Sequence, residues 1–246
     1  MSQQPSPTER YYDDAWKTKL ARPEYATLDR RWRSRWDFVV ENIGPGLKVL
    51  DIGCGDGILG ERLIRFRNCD VHGVDVSEFA LKMASQRGVV TNLCDASASI
   101  LPFSDETFDA VVLCCVLEHV PHPEHILMEA YRVLKPTGGI FVTLPNPVTW
   151  KIRLSFLRGS FHPDFLHSKP GEGLHYRFWT YENGLESTIS DLGCSLRIAN
   201  KSIDVKNPRL YSKLSLRIRR FLIHVLPGLF GEYMHYILKK STAITD

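Results

Sequence analysis

Three aspartates in the first half of the chain each end a short apolar run, and closely spaced glycines follow the first of them. Asp51 precedes Gly53 and Gly55, Asp75 ends the run VHGVD, and Asp95 ends the run TNLCD. Glycines at this spacing let a loop turn sharply and present its N–H groups to a ligand at a helix N-terminus. The carboxylates would add negative charge there. The pattern therefore predicts a nucleotide-type site for a ligand that carries positive charge.

One alternative reading of the same loop is a dinucleotide site. Residues 55–60 match the sequence GxGxxG, which is also found in dinucleotide-binding oxidoreductases, although a bare match is weak evidence. A pyrophosphate beside Asp51 and Asp56 would meet like charge, at a cost on the order of a kcal/mol or more for each close pair. The oxidoreductase alternative stays open here, and the aspartates count against it.

The elements that position these residues are predicted from alternating patterns. Apolar runs predict strands at 48–53, 71–76, 89–94, 110–116 and 139–144, and helical spacing predicts helices at 58–67, 78–87 and 124–134. Strands that alternate with helices are typical of βαβ units, which build a parallel sheet covered on both faces. All three aspartates would then lie at one edge of that sheet.

The two ends of the chain do not follow this alternation. Residues 1–10 are polar and contain proline, so they are predicted to be a disordered tail, with order beginning near Tyr11. Residues 146–180 are rich in His, Pro, Gly and aromatic residues and are too long for a simple connection, so they are predicted to be a substrate lid. Helices at 181–192 and 210–226 and strands at 195–203 and 233–238 are predicted to complete the chain.

Several segments together resemble one family. VLDIGCGDG resembles motif I of the class I S-adenosylmethionine-dependent methyltransferases, and VHGVDVS, NLCDAS, LPFSDETFDAVVL and VLEHVPHPEHILMEAYRVLKPTGGIFVTLPNP follow in the family's order. The resemblance covers Tyr11 to about Pro147. It implies an α/β fold of the Rossmann-like type, with a seven-stranded, mostly parallel sheet, an antiparallel last strand and helices on both faces. We expect one domain over 11–246, with a helical cap at 11–45.

The resemblance also implies which residues bind S-adenosylmethionine. The family's acid at the position of Asp75 accepts hydrogen bonds from both ribose hydroxyls, and the acid at Asp95 holds the adenine amino group, with the N–H of Ala96 at the ring. Tyr11, Tyr12 and Trp16 resemble the aromatic segment that folds over the cofactor, although packing onto the sheet is an alternative. The expected cofactor-binding set is Tyr11, Asp51, Gly53, Cys54, Gly55, Asp75, Val76, Asp95, Ala96 and Cys114.

Histidines are the candidates for removing a proton from a methyl acceptor, because their pKa lies near neutrality. By family position His119 is the leading candidate, and His162, His167 and His175 lie in the predicted lid, so His119 and His175 are the expected catalytic residues. His119, His122 and His125 are spaced by three, which can indicate a metal site. Prolines at 121 and 123 interrupt any single helical face there, so we expect no metal.

The carboxyl-terminal part bears on the substrate. LPNPVTWKIRLSFLRG and HYRFWTYENGLESTISDLG are similar to methyltransferases of glycan biosynthesis and to the methionine biosynthesis protein W group. The first similarity implies methyl transfer to a small molecule, with the methyl group going to an oxygen of a sugar or of a glycan-biosynthesis intermediate. The second implies a catalytically silent partner protein that binds S-adenosylmethionine or its product S-adenosylhomocysteine.

Composition limits the partners and the compartment. The net charge is +3, too small to indicate a polyanionic partner, and arginines between Trp32 and Trp36 fit a solvated helix face better than a nucleic-acid site. Six cysteines without a CxxC pair indicate reduced thiols, and no window resembles a signal peptide or a membrane span, so a cytoplasmic location is expected. The basic helix at 210–226 has an apolar side compatible with contact at a membrane surface, although packing on the sheet is the commoner arrangement.

Overall fold

The computed structural model describes residues 4–21, 33–160, 175–182, 184–204 and 215–241, and these form one α/β unit. The strands are β1 (Lys48–Ile52), β2 (Asp70–Asp75), β3 (Val90–Leu93), β4 (Phe108–Cys114), β5 (Leu134–Pro145), β6 (Leu196–Ile203) and β7 (Tyr233–Lys240). The helices are α1 (Pro7–Leu20), α2 (Arg33–Asn42), α3 (Ile58–Arg67), α4 (Glu78–Gln86), α5 (Pro123–Val133), α6 (Trp150–Leu157), α7 (Leu185–Ser190), α8 (Leu216–Val225) and α9 (Pro227–Phe230), with a 3₁₀ turn at Leu117–His119.

The sheet has seven strands in the order β3-β2-β1-β4-β5-β7-β6. Neighbouring strands from β3 to β5 pair in parallel, whereas β7 pairs antiparallel with both β5 and β6. The predicted fold class is therefore confirmed, including the antiparallel last strand. The carboxyl ends of β1, β2, β3 and β4 lie along the same edge of the sheet.

Buried side chains cover both faces of this sheet. On one face, Leu50 and Leu113 belong to a cluster with the apolar side of α5; on the other, Val49 and Val112 pack with apolar residues of α2, α3 and α4. Alternation along each strand sends successive side chains to opposite faces, and both faces are apolar because helices cover both. The edge that carries the aspartates is thus held by two hydrophobic layers.

The amino-terminal segment is ordered earlier than the sequence predicted. Helix α1 begins at Pro7, where the Ser6 side chain accepts a hydrogen bond from the Glu9 N–H and the Glu9 carboxylate accepts one from the Ser6 N–H. This reciprocal capping stabilises the first helical turn, and Pro7 suits its position because its missing N–H would have no partner there. Residues 7–10 therefore differ from the predicted disordered tail, and residues 1–3 lie outside the described part.

Other boundaries differ more modestly. β5 begins at Leu134, directly after α5, five residues before the predicted strand, and α7 is limited to Leu185–Ser190 instead of 181–192. In α8, the side chains of Ile218, Phe221 and Val225 are exposed, so the apolar side of this helix faces solvent. Its predicted membrane contact stays a prediction. Within the described ranges, no helix combines the length and the apolar character that crossing a bilayer requires.

Candidate functional site

The site is built on the loop between β1 and α3. Gly53 and Gly55 both have positive φ, of 71° and 54°, a conformation that side chains other than glycine rarely adopt. A Cβ atom on Gly53 would lie 2.6 Å from Cγ2 of Val116, and a Cβ on Gly55 would meet the indole of Trp16. The predicted glycine loop is therefore required by both backbone conformation and close packing.

Asp75, at the end of β2, accepts hydrogen bonds from two backbone groups around this loop. Its carboxylate oxygens lie 2.8 Å from the Gly55 nitrogen and 2.9 Å from the Ser77 nitrogen. The side chain is almost completely buried, and burial raises its pKa despite these two donors. Asp75 thus joins the end of β2 to the glycine loop, and each of its oxygens retains a lone pair for a further donor.

Asp51, at the end of β1, is a buried acid with a raised pKa. Burial, together with the nearby charge of Asp75, raises the pKa of Asp51 to about 8. Two buried carboxylates disfavour simultaneous ionisation, and a cationic ligand would relieve this repulsion. The predicted preference for a positively charged ligand therefore has an electrostatic basis in this pair.

Asp95 follows β3, the strand beside β2, and Ser97 orients its carboxylate. The Ser97 backbone nitrogen and hydroxyl donate to the same Asp95 oxygen, at 3.0 Å and 2.6 Å. Val76 and Ala96, the residues after the acids of β2 and β3, are both half-buried. The predicted acids thus stand at the ends of three adjacent strands.

Asp56 does not have the role that the sequence argument gave it. It is buried, and its carboxylate lies 3.7 Å from the Arg87 guanidinium at the end of α4. The negative charge of Asp56 is therefore offset by Arg87. Asp51 and Asp75 are therefore the acids whose negative charge would disfavour a pyrophosphate at this edge.

Helix α1 lies over the same edge. One oxygen of Asp13 accepts from the Ser77 hydroxyl at 2.5 Å and from the Phe79 nitrogen at 3.1 Å, which fixes α1 to the start of α4. Burial, and then the neighbouring Tyr11, Tyr176, Asp75 and Asp95, raise the pKa of Tyr12. These contacts place Tyr12 beside the predicted ribose and adenine acids.

The two tyrosines of α1 differ in position. Tyr11, the tyrosine named in the predicted set, is 48% exposed, so Tyr12 is the better placed of the pair. Sequence reasoning missed Asp13, and no sequence pattern links it to Ser77, because that contact exists only in the folded chain.

Two cysteines of the predicted cofactor-binding set lie beside this edge of the sheet, and their side chains pack against neighbouring residues of the core. Cys54 is buried, and a Cβ on Gly73 would lie 2.6 Å from its sulfur, so its thiol packs against β2. A cofactor contact at this position would therefore come from the backbone of Cys54. Cys114, at the end of β4, is half-buried and packs against the cluster formed with α2, α3 and α4.

The structure brings the two predicted catalytic histidines together. The rings of His119, at the end of the 3₁₀ turn after β4, and His175 have centroids 4.7 Å apart. His162 and His167 lie outside the described residues. His125 turns away from this pair, since its ring nitrogen lies 3.1 Å from the Ser99 carbonyl oxygen, and His122 is exposed. The regular spacing of His119, His122 and His125 therefore does not correspond to one cluster.

Comparison with protein families agrees with this geometry. Residues 50–142, which run from β1 to β5, match the family described as a methyltransferase domain. The chain carries a class I methyltransferase domain. The resemblance predicted from the sequence is thus confirmed, and this methyltransferase domain contains Asp51, Asp75, Asp95 and His119.

Curated relatives match parts of the chain. A ubiquinone biosynthesis O-methyltransferase of Hahella chejuensis is 32% identical over 154 residues, which are 57% of this chain and 61% of that protein. A sterol 24-C-methyltransferase of Gibberella zeae is 34% identical over 123 residues, which are 47% of this chain and 32% of that protein. The match thus spans less than two thirds of the length of either relative.

Solved structures share the fold of this methyltransferase domain and its flanking elements. A Thermotoga maritima protein described as an S-adenosylmethionine-dependent methyltransferase superposes with a TM-score of 0.63 at 22% identity. The superposition covers 92% of this chain and the whole of that protein. The fold therefore extends well beyond residues 50–142.

The family implies S-adenosylmethionine as the cofactor, and the described residues fit it. The buried carboxyls of Asp51 and Asp75 suit its cationic amino-acid end and its ribose hydroxyls, respectively. The glycine loop supplies backbone at close range, and α1 covers the edge from outside. The donor chemistry of this edge matches the cofactor better than it matches a phosphate ester.

Proposed function

We propose that this protein binds S-adenosylmethionine at the edge lined by Asp51, Asp75 and Asp95 and transfers its methyl group to a hydroxyl oxygen of a small molecule. The observation that carries the proposal is the convergence of these three acids, at the ends of adjacent strands, around one glycine loop. The relatives named as O-methyltransferases support oxygen as the acceptor atom, whereas the relative named as a sterol 24-C-methyltransferase makes carbon the alternative.

The finer proposal concerns the acceptor. We propose an oxygen of a sugar or of a glycan-biosynthesis intermediate, on the strength of the similarity of segments 144–159 and 175–193 to methyltransferases of glycan biosynthesis. The segment 146–180, proposed as the lid, would cover that acceptor. Its carboxyl-terminal part, described from residue 175, carries His175 to the site.

Each acid has a distinct proposed role. Asp75 binds the ribose hydroxyls with the lone pairs left free by Gly55 and Ser77, and Asp95 holds the adenine amino group. Asp51 faces the cationic amino-acid end of the cofactor. Tyr12 and Trp16 of α1 exclude water from the bound cofactor.

The histidine pair acts on the acceptor side. When bound, the cofactor supplies an electrophilic methyl carbon, whose bond to sulfur breaks with the electron pair staying on sulfur as the new C–O bond forms. His119 and His175 contact the acceptor hydroxyl and align its oxygen with that carbon, and one of the two imidazoles accepts the hydroxyl proton as the C–O bond forms. Alignment of this kind contributes much of the rate enhancement in bimolecular transfers.

Label transfer tests the proposed function. The purified protein is incubated with methyl-labelled S-adenosylmethionine and a host extract divided into polar metabolites, sugar nucleotides, lipids, protein and nucleic acid. Label in the sugar-nucleotide fraction supports the finer proposal, and label in another small-molecule fraction supports methyl transfer alone. Tight cofactor binding with no labelled fraction would instead favour a silent S-adenosylmethionine-binding partner protein.

A substitution at Asp75 tests the cofactor site directly. Asp75→Asn should weaken cofactor binding about 10- to 100-fold, because a hydrogen bond to a charged group contributes roughly 1.5–3 kcal/mol. Asp70→Asn is the matched control, since Asp70 lies at the opposite end of β2 and is exposed. Isothermal titration calorimetry measures both affinities. Equal affinities for the two variants would contradict the ribose assignment.

A further inference from the structure

A cluster of three potential ligands lies at the end of β4, next to the glycine loop. Glu118 and His119 come from the 3₁₀ turn, and His175 comes from the segment that follows the undescribed residues 161–174. One donor atom of each side chain lies within 4.8 Å of the others. His119 Nε2 is 4.0 Å from Glu118 Oε1. Val116, just before the turn, packs on Gly53, which places the cluster beside the loop.

The backbone holds the two halves of this cluster together. The Tyr176 nitrogen donates to the Glu118 carbonyl oxygen at 2.7 Å, so His175 is fixed beside the turn by the residue that follows it. The guanidinium of Arg177 lies 3.3 Å from the Glu124 carboxylate in α5. Two residues further on, Trp179 is buried and its indole nitrogen donates to the Thr188 hydroxyl at 3.2 Å. The position of His175 is therefore set by packed structure.

Glu118 is the unusual member of the cluster. Its side chain is only 3% exposed, and no described residue donates a hydrogen bond to its Oε2 oxygen. A buried carboxylate oxygen without a donor costs free energy unless a proton, a ligand or a cation satisfies it. This oxygen can therefore act as a ligand atom at the cluster.

We propose that Glu118, His119 and His175 bind a divalent transition-metal cation such as Zn²⁺, which in turn binds the hydroxyl oxygen of the acceptor. Two imidazoles and one carboxylate are a ligand set suited to Zn²⁺ and related cations, and three protein ligands leave a position open for a substrate. Metal–ligand bonds are about 2.0–2.2 Å long, so the three donor atoms, now within 4.8 Å of one another, would have to move closer together when a cation binds. Mg²⁺ and Ca²⁺ prefer oxygen ligands and fit this set poorly.

This site deepens the proposed function and rests on it for its chemical role. A cation bound to a hydroxyl oxygen favours loss of the hydroxyl proton, as it does for bound water. The proton leaves to solvent, and the oxygen then forms a bond to the methyl carbon while the carbon–sulfur bond breaks towards sulfur. His119 and His175 would thus act on the acceptor through the cation, in place of direct contact with its hydroxyl. The expectation of no metal considered His119, His122 and His125, whereas the fold assembles a different set.

Metal binding is tested first, without any turnover. The full chain is treated with a chelator, and Zn²⁺ is titrated by calorimetry, with Co²⁺ added separately as a visible-absorption probe. We expect one equivalent of either cation and loss of the Co²⁺ absorption in Glu118→Gln and His175→Ala. His122→Ala is the matched control, because His122 is exposed nearby and lies outside the cluster. Equal binding by all variants, or no binding by the native chain, would overturn the site.

Turnover separates this inference from the proposed function. Circular dichroism and thermal unfolding establish that each variant is folded, and calorimetry measures cofactor affinity in the metal-free protein. Loss of label transfer in metal-free protein that still binds cofactor, with recovery on adding Zn²⁺, supports the role of the cation. Undiminished transfer in metal-free protein overturns it. Stoichiometric Zn²⁺ binding with no transfer to any fraction supports the site and contradicts the proposed function.

Discussion

At the residue scale, three aspartates at equivalent strand ends have different surroundings. Asp75 receives two backbone N–H groups, Asp95 is held by Ser97, and Asp51 is buried beside Asp75. Hydrogen bonds from N–H groups favour a charged carboxylate, whereas burial and a like charge disfavour it. Asp51 is therefore the acid whose protonation should respond most to a bound cation.

Asp51 should couple cofactor binding to pH. Its pKa of about 8 in the free protein means that the carboxyl is mostly protonated at pH 7. A cationic ligand favours the ionised form, so binding at pH 7 should release up to about one proton, and affinity should rise with pH until the cofactor's own ammonium group begins to lose its proton, at about pH 8. Calorimetry in phosphate and Tris buffers measures this release, because the two buffers take up protons with different heats.

The control for this coupling is Asp51→Asn, which should give the same binding enthalpy in both buffers once intrinsic buffer heats are allowed for. A native protein whose binding heats do not depend on the buffer would contradict the placement of the cofactor's ammonium group at Asp51.

The sequence was informative for residues whose position in the fold depends on local spacing. Asp75, Gly53 and Gly55 could be predicted, because the end of a strand and a tight turn are local properties. The ion pair between Asp56 and Arg87 could not be predicted, because it joins segments that are distant along the chain. The burial of Glu118 could not be predicted either, because it depends on the packing around that residue.

At the scale of elements, the regular βαβ units were predicted well, and the amino-terminal and carboxyl-terminal segments less well. Helix α3 has the predicted bounds, because its apolar periodicity is clear and glycine precedes it. The onset of α1 was missed although its signal, Ser6 followed by Pro7 and Glu9, is present in the sequence. The polar, proline-bearing composition of residues 1–10 predicted a disordered tail, although the capping pattern within them is specific to the start of a helix.

The attachment of α1 to α4 gives a prediction at this scale. Asp13→Ala removes both hydrogen bonds to Ser77 and Phe79, at a cost of about 1 kcal/mol, so α1 should open about five times more often. Hydrogen exchange of residues 7–20 should become faster, and the cofactor should dissociate faster. Asp14→Ala is the matched control on the same helix, because Asp14 is exposed and pairs only locally with Lys17 among the contacts described. Similar exchange in the two variants would contradict the role of Asp13.

At the scale of the whole molecule, the site depends on a sheet buried on both faces. Leu113 of β4 is fully buried in the cluster formed with α5, one residue before the strand end that leads to His119. The sequence predicted this sheet because its strands are almost entirely apolar. It could not predict that residue 175 returns to residue 119, since no periodic pattern spans the segment between them.

Truncation of this core gives a prediction for stability. Leu113→Ala should lower the free energy of unfolding by about 2–5 kcal/mol, because it removes buried methyl groups and leaves a cavity. Leu157→Ala should change it by less than about 0.5 kcal/mol, since Leu157 is 85% exposed. Denaturant unfolding measures both values. A loss below 1 kcal/mol for Leu113→Ala would mean that the strand is less tightly packed than the structure indicates.

The hydrogen bonds between Asp13 and the start of α4 have a consequence for ligand selectivity. The N-terminus of a helix offers free N–H groups that can bind a phosphate. Here the Phe79 N–H and the Ser77 hydroxyl already bind Asp13, and the carboxylate of Asp75 stands next to them. A phosphate esterified to the ribose would meet two carboxylates and an occupied helix terminus. We therefore expect the fold to discriminate against phosphorylated nucleosides before any acceptor arrives.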